Sequence, residues 1–209
     1  MLRVLIADDH AIVRKGLQQI VKEQAPMMDV TEASDGNEVL EQINNHKWDC
    51  LVLDISMPGR NGLDILHEVR HSRPTLPVLI LSMHPEEQYA IRVLKAGAAG
   101  YMTKDMALDE LVGAIQRVVG GGRYISPTLA EKLALGLTGQ MDKLPHETLS
   151  DREYTVLLMI GRGKSVGEIA DELGLSVKTI STYRSRILEK LDMKSNADLI
   201  RYVIDNSLS

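Results

Sequence analysis

Five short apolar runs, "LRVLIA", "DVTEA", "DCLVLD", "LPVLILS" and "AAGYMT", recur between residue 2 and about residue 120, separated by stretches of amphipathic helical pattern. The first four hold most of the Val, Ile and Leu, and the fifth is weak. Strands that are apolar almost from end to end must be covered on both faces, so runs of this kind alternating with helices specify a parallel sheet between two helical layers. Gly16, Gly36, Gly62, Gly97 and Gly100 fall near turns or helix ends, and Pro58, Pro74, Pro77 and Pro85 fall in connections. These residues punctuate a five-fold β/α repeat.

The pattern changes at "VGGGRYISPTLAEKLALGLTGQMDKLPHE". Three glycines end a helix, a helical piece follows from Pro127 to Leu137, and residues 138–146 keep no period. The chain therefore divides into a domain at 1–122, a partly helical linker at 123–146 and a second domain at 147–209. In that second domain Ser150, Ser165, Ser176 and Ser195 each stand where a hydroxyl caps a helix start. Glu153 and Glu168, three residues beyond the first two, complete capping boxes. Four short helices with no strand among them are expected.

Composition narrows the function. With 44% hydrophobic and 25% charged residues, the 209-residue chain is that of a globular protein. It has neither a run of about 20 apolar residues nor a basic-then-apolar leader, so a cytoplasmic protein without membrane contact is expected. The single cysteine, Cys50, lies inside an apolar run and reads as a buried thiol. A net charge of −5 excludes a uniformly basic surface but leaves room for a local basic patch.

The acids fall in a telling place. Parallel strands of a doubly wound sheet all end at one edge, and in the flavodoxin-like order 2-1-3-4-5 the first and third strands are neighbours there. Asp8 and Asp9 end the first and Asp54 ends the third, while Ser82 ends the fourth and Lys104 follows the fifth. Three crowded carboxylates call for a cation, and an oxygen-rich pocket suits Mg²⁺ held by Asp9, Asp54 and the Ser56 carbonyl, with Asp8 acting through water. Carboxylate, hydroxyl, lysine and Mg²⁺ together are what phosphoryl transfer to a carboxylate needs: Asp54 as nucleophile, Lys104 and Ser82 on the phosphoryl oxygens. Pro58 and Gly59 then turn the chain away.

"IADDH", "LDISMPGRNGLD", "LILSMH" and "KAGAAGYMTKD" resemble, in order, the receiver domain of bacterial two-component response regulators over residues 2–120. The resemblance implies that a sensor histidine kinase donates the phosphoryl group to Asp54. It also implies that Ser82 and Tyr101 reposition on its arrival, altering the face of the fourth helix, fifth strand and fifth helix.

Acids and bases nearly balance over residues 146–209, but Lys178, Arg184, Arg186, Lys190 and Lys194 cluster within the third helix and just past it, against only Glu189 and Asp192 there. On a helical wheel Ile180, Ile187 and Leu191 share one face, and Lys178, Ser181, Thr182 and Ser185 the opposite one, flanked by Arg184 and Arg186. A short helix at about Val166–Leu173 and a turn at Gly174 precede this helix, as in a helix-turn-helix whose second helix enters the major groove. Thr179 joins the candidate contacts to double-stranded DNA. "LSDREYTVLLMIGRGKSVGEIADELGLSVKTISTYRSRILEKLDMKSNADLI" is similar to the LuxR-type DNA-binding domain, so nearly the whole chain resembles a regulator of the NarL/FixJ family. Tyr183 stands where that family commonly has His. The resemblance implies a last helix, about Asn196 to Asn206, that pairs two DNA-binding domains in a homodimer on paired half-sites.

Rival readings fare less well. "GRGKS" at 161–165 is not a phosphate-binding loop, because Leu158 stands where glycine is required and no strand precedes it. A haloacid-dehalogenase-type hydrolase needs an Asp where Ser56 stands, and a substrate cap; a turnover enzyme is therefore not expected. A regulator answering another ligand would keep the DNA-reading end but has no use for the acidic pocket. His10, beside that pocket, reads as a helix-start residue.

Overall fold

The structure, a computed structural model, describes residues 1–60, 62–137, 144–206 and 208. It divides into two compact units, Met1–Leu133 and Ala134–Ser209. Part of the expected linker, residues 138–143, lies outside the described residues.

The first unit holds β1 (Leu2–Ala7), α1 (Ala11–Gln24), β2 (Met28–Ala33), α2 (Gly36–Asn45), β3 (Cys50–Asp54), α3 (Gly62–Ser72), β4 (Val78–Ser82), α4 (Glu86–Lys95), β5 (Gly100–Thr103), α5 (Ala107–Val119) and the start of α6 (Pro127–Leu137). The sheet is wholly parallel, as the alternation implies, in the flavodoxin-like order β2-β1-β3-β4-β5. Every residue of β3 and β4 is buried, which is why these runs are apolar without alternation. One core forms where Val4, Ile6, Val52, Leu79 and Leu81 meet Leu17 and Val21 of α1 and Leu111 and Ile115 of α5. Cys50 belongs to it, and burial pushes its thiol up to about 12.

A feature with no signal in the periodicity is the fastening of residues 124–129 to the sheet. Tyr124 makes a parallel bridge to Gly100, donating to Ala99 O and accepting from Tyr101 N. A Cβ on Gly100 would lie 2.6 Å from Tyr124 O, so only glycine lets the two backbones close. The Tyr124 hydroxyl bonds Glu110, Ser126 Oγ donates to Glu86 at 2.5 Å, and Leu129 is buried.

The second unit has a 3-10 turn at Pro145–Thr148, then α7 (Asp151–Gly161), α8 (Val166–Leu173), α9 (Val177–Lys190) and α10 (Asn196–Asp205). All four serines cap as the sequence specifies: Ser150, Ser165 and Ser195 each sit in a two-way capping box, with Asp198 taking the acid's part in the third. Ser176 accepts from Thr179 N. Gly174 closes α8 in the left-handed conformation at φ 63°, which turns the chain into α9. Ile169, Ile180, Ile187, Leu199 and Val203 form the centre of this unit. Among the described residues no helix is long and apolar enough to cross a membrane.

Candidate phosphoacceptor site and DNA-reading helix

Because β1 and β3 are neighbours in register, with Ala7 beside Leu53, their C-terminal ends bring Asp8 and Asp54 to one rim. Both are buried, and the Lys104 side chain, delivered by the β5–α5 connection, is 9% exposed. Lys104 Nζ lies 2.6 Å from Asp8 Oδ2 and 2.8 Å from Asp54 Oδ2, so one ammonium bridges the two acids. The other Asp54 oxygen accepts from Ser56 N at 3.0 Å. Asp9 is partly exposed. Ligand atoms of Asp8, Asp9, His10 and Asp54 all lie within 4.8 Å of one another.

The charge balance is unfavourable as it stands. Burial holds the Asp54 carboxyl above its ordinary range even though Lys104 and the Ser56 N–H pull it down, and Asp8 adds repulsion. Lys104 is held above its ordinary value; burial opposes this, and the charge of Asp54 and bonds to both acids outweigh it. Asp8 Oδ2 and Asp9 Oδ1 are buried without an aligned hydrogen bond, although each has a nitrogen nearby, Lys104 Nζ and His10 Nδ1. Two such oxygens beside a third carboxylate fit a hard divalent cation such as Mg²⁺. His10 stands at the N-cap of α1 but makes no side-chain cap; its ring rests 2.8 Å from Asp9 instead. The cluster of acids draws it away from the role its position suggests.

Glycine shapes the rim from below. Gly62 N donates to Ile55 O, and a Cβ there would lie 2.5 Å from the Asp54 carbonyl oxygen. No larger residue lets α3 start so close to the strand that carries Asp54.

Ser82 and Tyr101 lie to one side and share a partner. Ser82 Oγ accepts from His84 N at 3.0 Å, and the Tyr101 hydroxyl donates to His84 O at 2.7 Å. The His84 ring nitrogen is 3.1 Å from Ser56 Oγ. Tyr101 is buried with its ring turned inward, and burial raises its phenol. His84 was invisible to sequence reasoning because its role is carried by its main chain. Only the distance of two residues from the strand-end serine could have signalled it.

In the helical unit α8, Gly174 and α9 form the helix-turn-helix. Lys178, Ser181, Thr182, Ser185, Arg186 and Lys194 are exposed. Thr182 and Ser185 donate their hydroxyl protons to carbonyls one turn back, which leaves their oxygen lone pairs free to accept. Three expected contacts are engaged otherwise. Thr179 is half-buried against Ser176, Arg184 Nε donates to Asn196 Oδ1 at 2.5 Å, and Lys190 Nζ lies 2.7 Å from Oε2 of the buried Glu153. Arg184 sits only about 40° from Ile180 on the wheel, which turns it toward α10 rather than outward.

Comparison with known proteins agrees with both halves. Residues 4–116 match the response regulator receiver domain and residues 147–203 match the bacterial regulatory proteins of the luxR family. The response regulator GacA of Pseudomonas aeruginosa is 39% identical over 200 residues, covering 95% of this chain and 94% of that one. The response regulator UvrY of Escherichia coli K12 is 35% identical over 209 residues, covering 100% and 96%.

The chain is a response regulator of the NarL/FixJ family.

Solved structures of another response regulator align over almost all of it. RcsB from Salmonella enterica serovar Typhimurium, bound to promoter rprA in the presence of phosphomimetic BeF3-, aligns with a TM-score of 0.63 and 28% identity, covering 97% of this chain and 98% of that one. A structure of two RcsB dimers bound to two parallel DNAs aligns at 0.59 and 27%, with 97% of each covered. A response regulator thus has its receiver in the first unit and its LuxR-type DNA-binding domain in the second.

Proposed function

We propose that this response regulator takes a phosphoryl group on Asp54 from a sensor histidine kinase and, so charged, binds paired half-sites in double-stranded DNA as a homodimer in the cytoplasm to control transcription. The observation that carries the reading is the single Lys104 ammonium bridging two buried strand-end carboxylates, an arrangement that is poorly neutralised until more positive charge joins it. In the transfer an Asp54 carboxylate oxygen attacks the phosphorus of a phosphohistidine. The P–N bond breaks as the acyl phosphate P–O bond forms, and the leaving imidazole keeps the electron pair of that bond and is protonated.

Lys104 moves from holding a carboxylate to holding the equatorial oxygens. Asp9, Asp54 and the Ser56 carbonyl would hold Mg²⁺, with Asp8 acting through water; the ion supplies the charge that screens the incoming group. Ser82 Oγ is the switch. Turning it toward a phosphoryl oxygen loosens the bond it accepts from the part-buried His84 N–H, a bond worth about 0.5–1.5 kcal/mol. The β4–α4 connection therefore shifts, and Tyr101, bonded to the same residue's carbonyl, registers the shift. Differential contacts of this kind are what a two-state equilibrium requires.

At the other end Lys178, Ser181, Thr182 and Ser185 face base edges and Arg186 and Lys194 face phosphates, while Arg184 and Lys190 steady the helix from behind. No turnover of substrate is part of this role. Incubation with a small phosphodonor and Mg²⁺ tests it. Label held by the protein and absent from Asp54→Asn supports the reading, and label equal in the two proteins rejects it.

A further inference from the structure

The edge of the sheet where the strands begin, opposite Asp54, carries a cleft of about 630 Å³. Lys47, Arg70, Arg73 and Arg123 line it, against the single carboxylate of Asp49. Asp49 Oδ2 is already engaged by the Arg3 N–H at 2.7 Å, and the Arg3 guanidinium lies 4.7 Å over the ring of Trp48, a further wall of the cleft. None of the four cationic side chains has a carboxylate within ion-pair distance among the described residues. In a chain of net charge −5, four unneutralised cations in one concavity are out of place unless something anionic enters.

The guanidinium groups are also fixed in position. Arg70 donates to the carbonyls of Pro74 and Leu76, Arg73 to those of Ile43 and Asn44, and Arg123 to that of Ala98. Carbonyls orient a guanidinium without cancelling its charge, and each Arg has five N–H donors, so others remain for a ligand. Arg70 Nε is buried with no hydrogen-bond partner. Gly97, at φ +99°, leaves the room in which Arg70 lies, since a Cβ there would come 2.9 Å from Arg70 Cδ.

We propose that this cleft binds a diphosphate-bearing small molecule. Its volume suits a compact ligand, and planar guanidinium forks match phosphate oxygens two at a time. None of its lining residues belongs to the phosphoacceptor rim or to the recognition helix.

Isothermal titration of the full-length protein with inorganic pyrophosphate, at low salt and without divalent ions, tests it. The expected result is one site per chain, weakened about a hundredfold in Lys47→Ala/Arg123→Ala, at about tenfold for each cation removed. Arg123 makes only a 3.4 Å bond, so this variant keeps its fold, and Arg123→Gln repeats the test with a side chain that can still donate to Ala98 O. Lys178→Ala/Arg186→Ala is expected to bind as the parent does. ADP binding more tightly than pyrophosphate assigns the site to a nucleotide, and equal binding assigns it to a free diphosphate. The proposal is overturned by no heat at about 5 mM pyrophosphate, by loss of binding in the recognition-helix variant, or by undiminished binding in both cleft variants.

Discussion

Asp54→Asn should make the unliganded receiver more stable, although it removes an ion pair. The Asp54 carboxylate lies 2.8 Å from Lys104 Nζ, an attraction of about 6 kcal/mol at an effective dielectric of 20. Against it stand Asp8, with ligand atoms within 4.8 Å and a repulsion of at least about 3.5 kcal/mol, and Asp9, whose partial exposure screens a similar repulsion to about 2 kcal/mol. These contributions nearly cancel, and the desolvation of a buried carboxylate decides the sign; an amide of the same shape avoids most of it. The net gain is about 1–3 kcal/mol, or about 4 °C in Tm per kcal/mol for a unit of this size.

Thermal unfolding in a chelating buffer measures it. The fold raises the Asp54 pKa, so its favourable contribution is present below the unfolded carboxyl pKa and is lost as pH rises through the folded value. The gap between variant and parent should therefore be near zero in acid and open as pH rises toward neutrality. Mg²⁺ should close it, because a cation at 100 times its Kd adds about 2.7 kcal/mol to the protein that binds it, and Asn offers a poorer ligand. A variant less stable than its parent at neutral pH, or a gap that Mg²⁺ leaves unchanged, refutes the reasoning.

Lys190→Met should destabilise the helical unit by about 2 kcal/mol in a urea melt, because it leaves Glu153 buried without its cation. Burial opposes ionisation of Glu153, yet the bonds from Lys190 and Ser150 hold its pKa below 4.5; its contribution is thus present above the unfolded pKa and fades below about pH 4.5, a fade the variant should show more weakly, since only the Ser150 bonds remain. Gly62→Ala should cost about 2–3 kcal/mol and abolish label uptake, since the added methyl meets the backbone of Asp54 and Ile55 at 2.5 and 2.6 Å; uptake at the parent level would contradict the close approach. Lys178→Ala should lower the salt slope of DNA binding by about one, measured by fluorescence anisotropy across salt, whereas Lys190→Met should leave that slope alone.

How much of this was legible in the sequence depends on the range of the interaction. The strands and caps were legible because their causes are local: uninterrupted apolar runs give β3 and β4, and Ser followed three residues later by Glu gives the starts of α7 and α8. The acidic rim was legible because a parallel sheet brings every strand end to one edge, whatever the loops do. For Lys190 the ion pair escaped notice for the opposite reason. Its charge is conspicuous in a basic cluster, but its partner Glu153 is 37 residues away and reads locally as a cap alone. Likewise Tyr124 carries no periodic signal, since a one-residue bridge is set by the shape of the β5 edge and by Gly100. His84 escaped because main-chain groups have no residue type to recognise.

The most direct test of the central claim is the DNA affinity of one preparation before and after a phosphoryl group, or a beryllofluoride stand-in, is placed on Asp54, read against Asp54→Asn under the same salt. Charge at the rim should tighten binding by about tenfold or more in the parent, a coupling of about 1.4 kcal/mol, and leave the variant unmoved. Equal affinity before and after, with Asp54 shown by mass spectrometry to carry the group, would contradict the claim that this rim governs the DNA-reading helix.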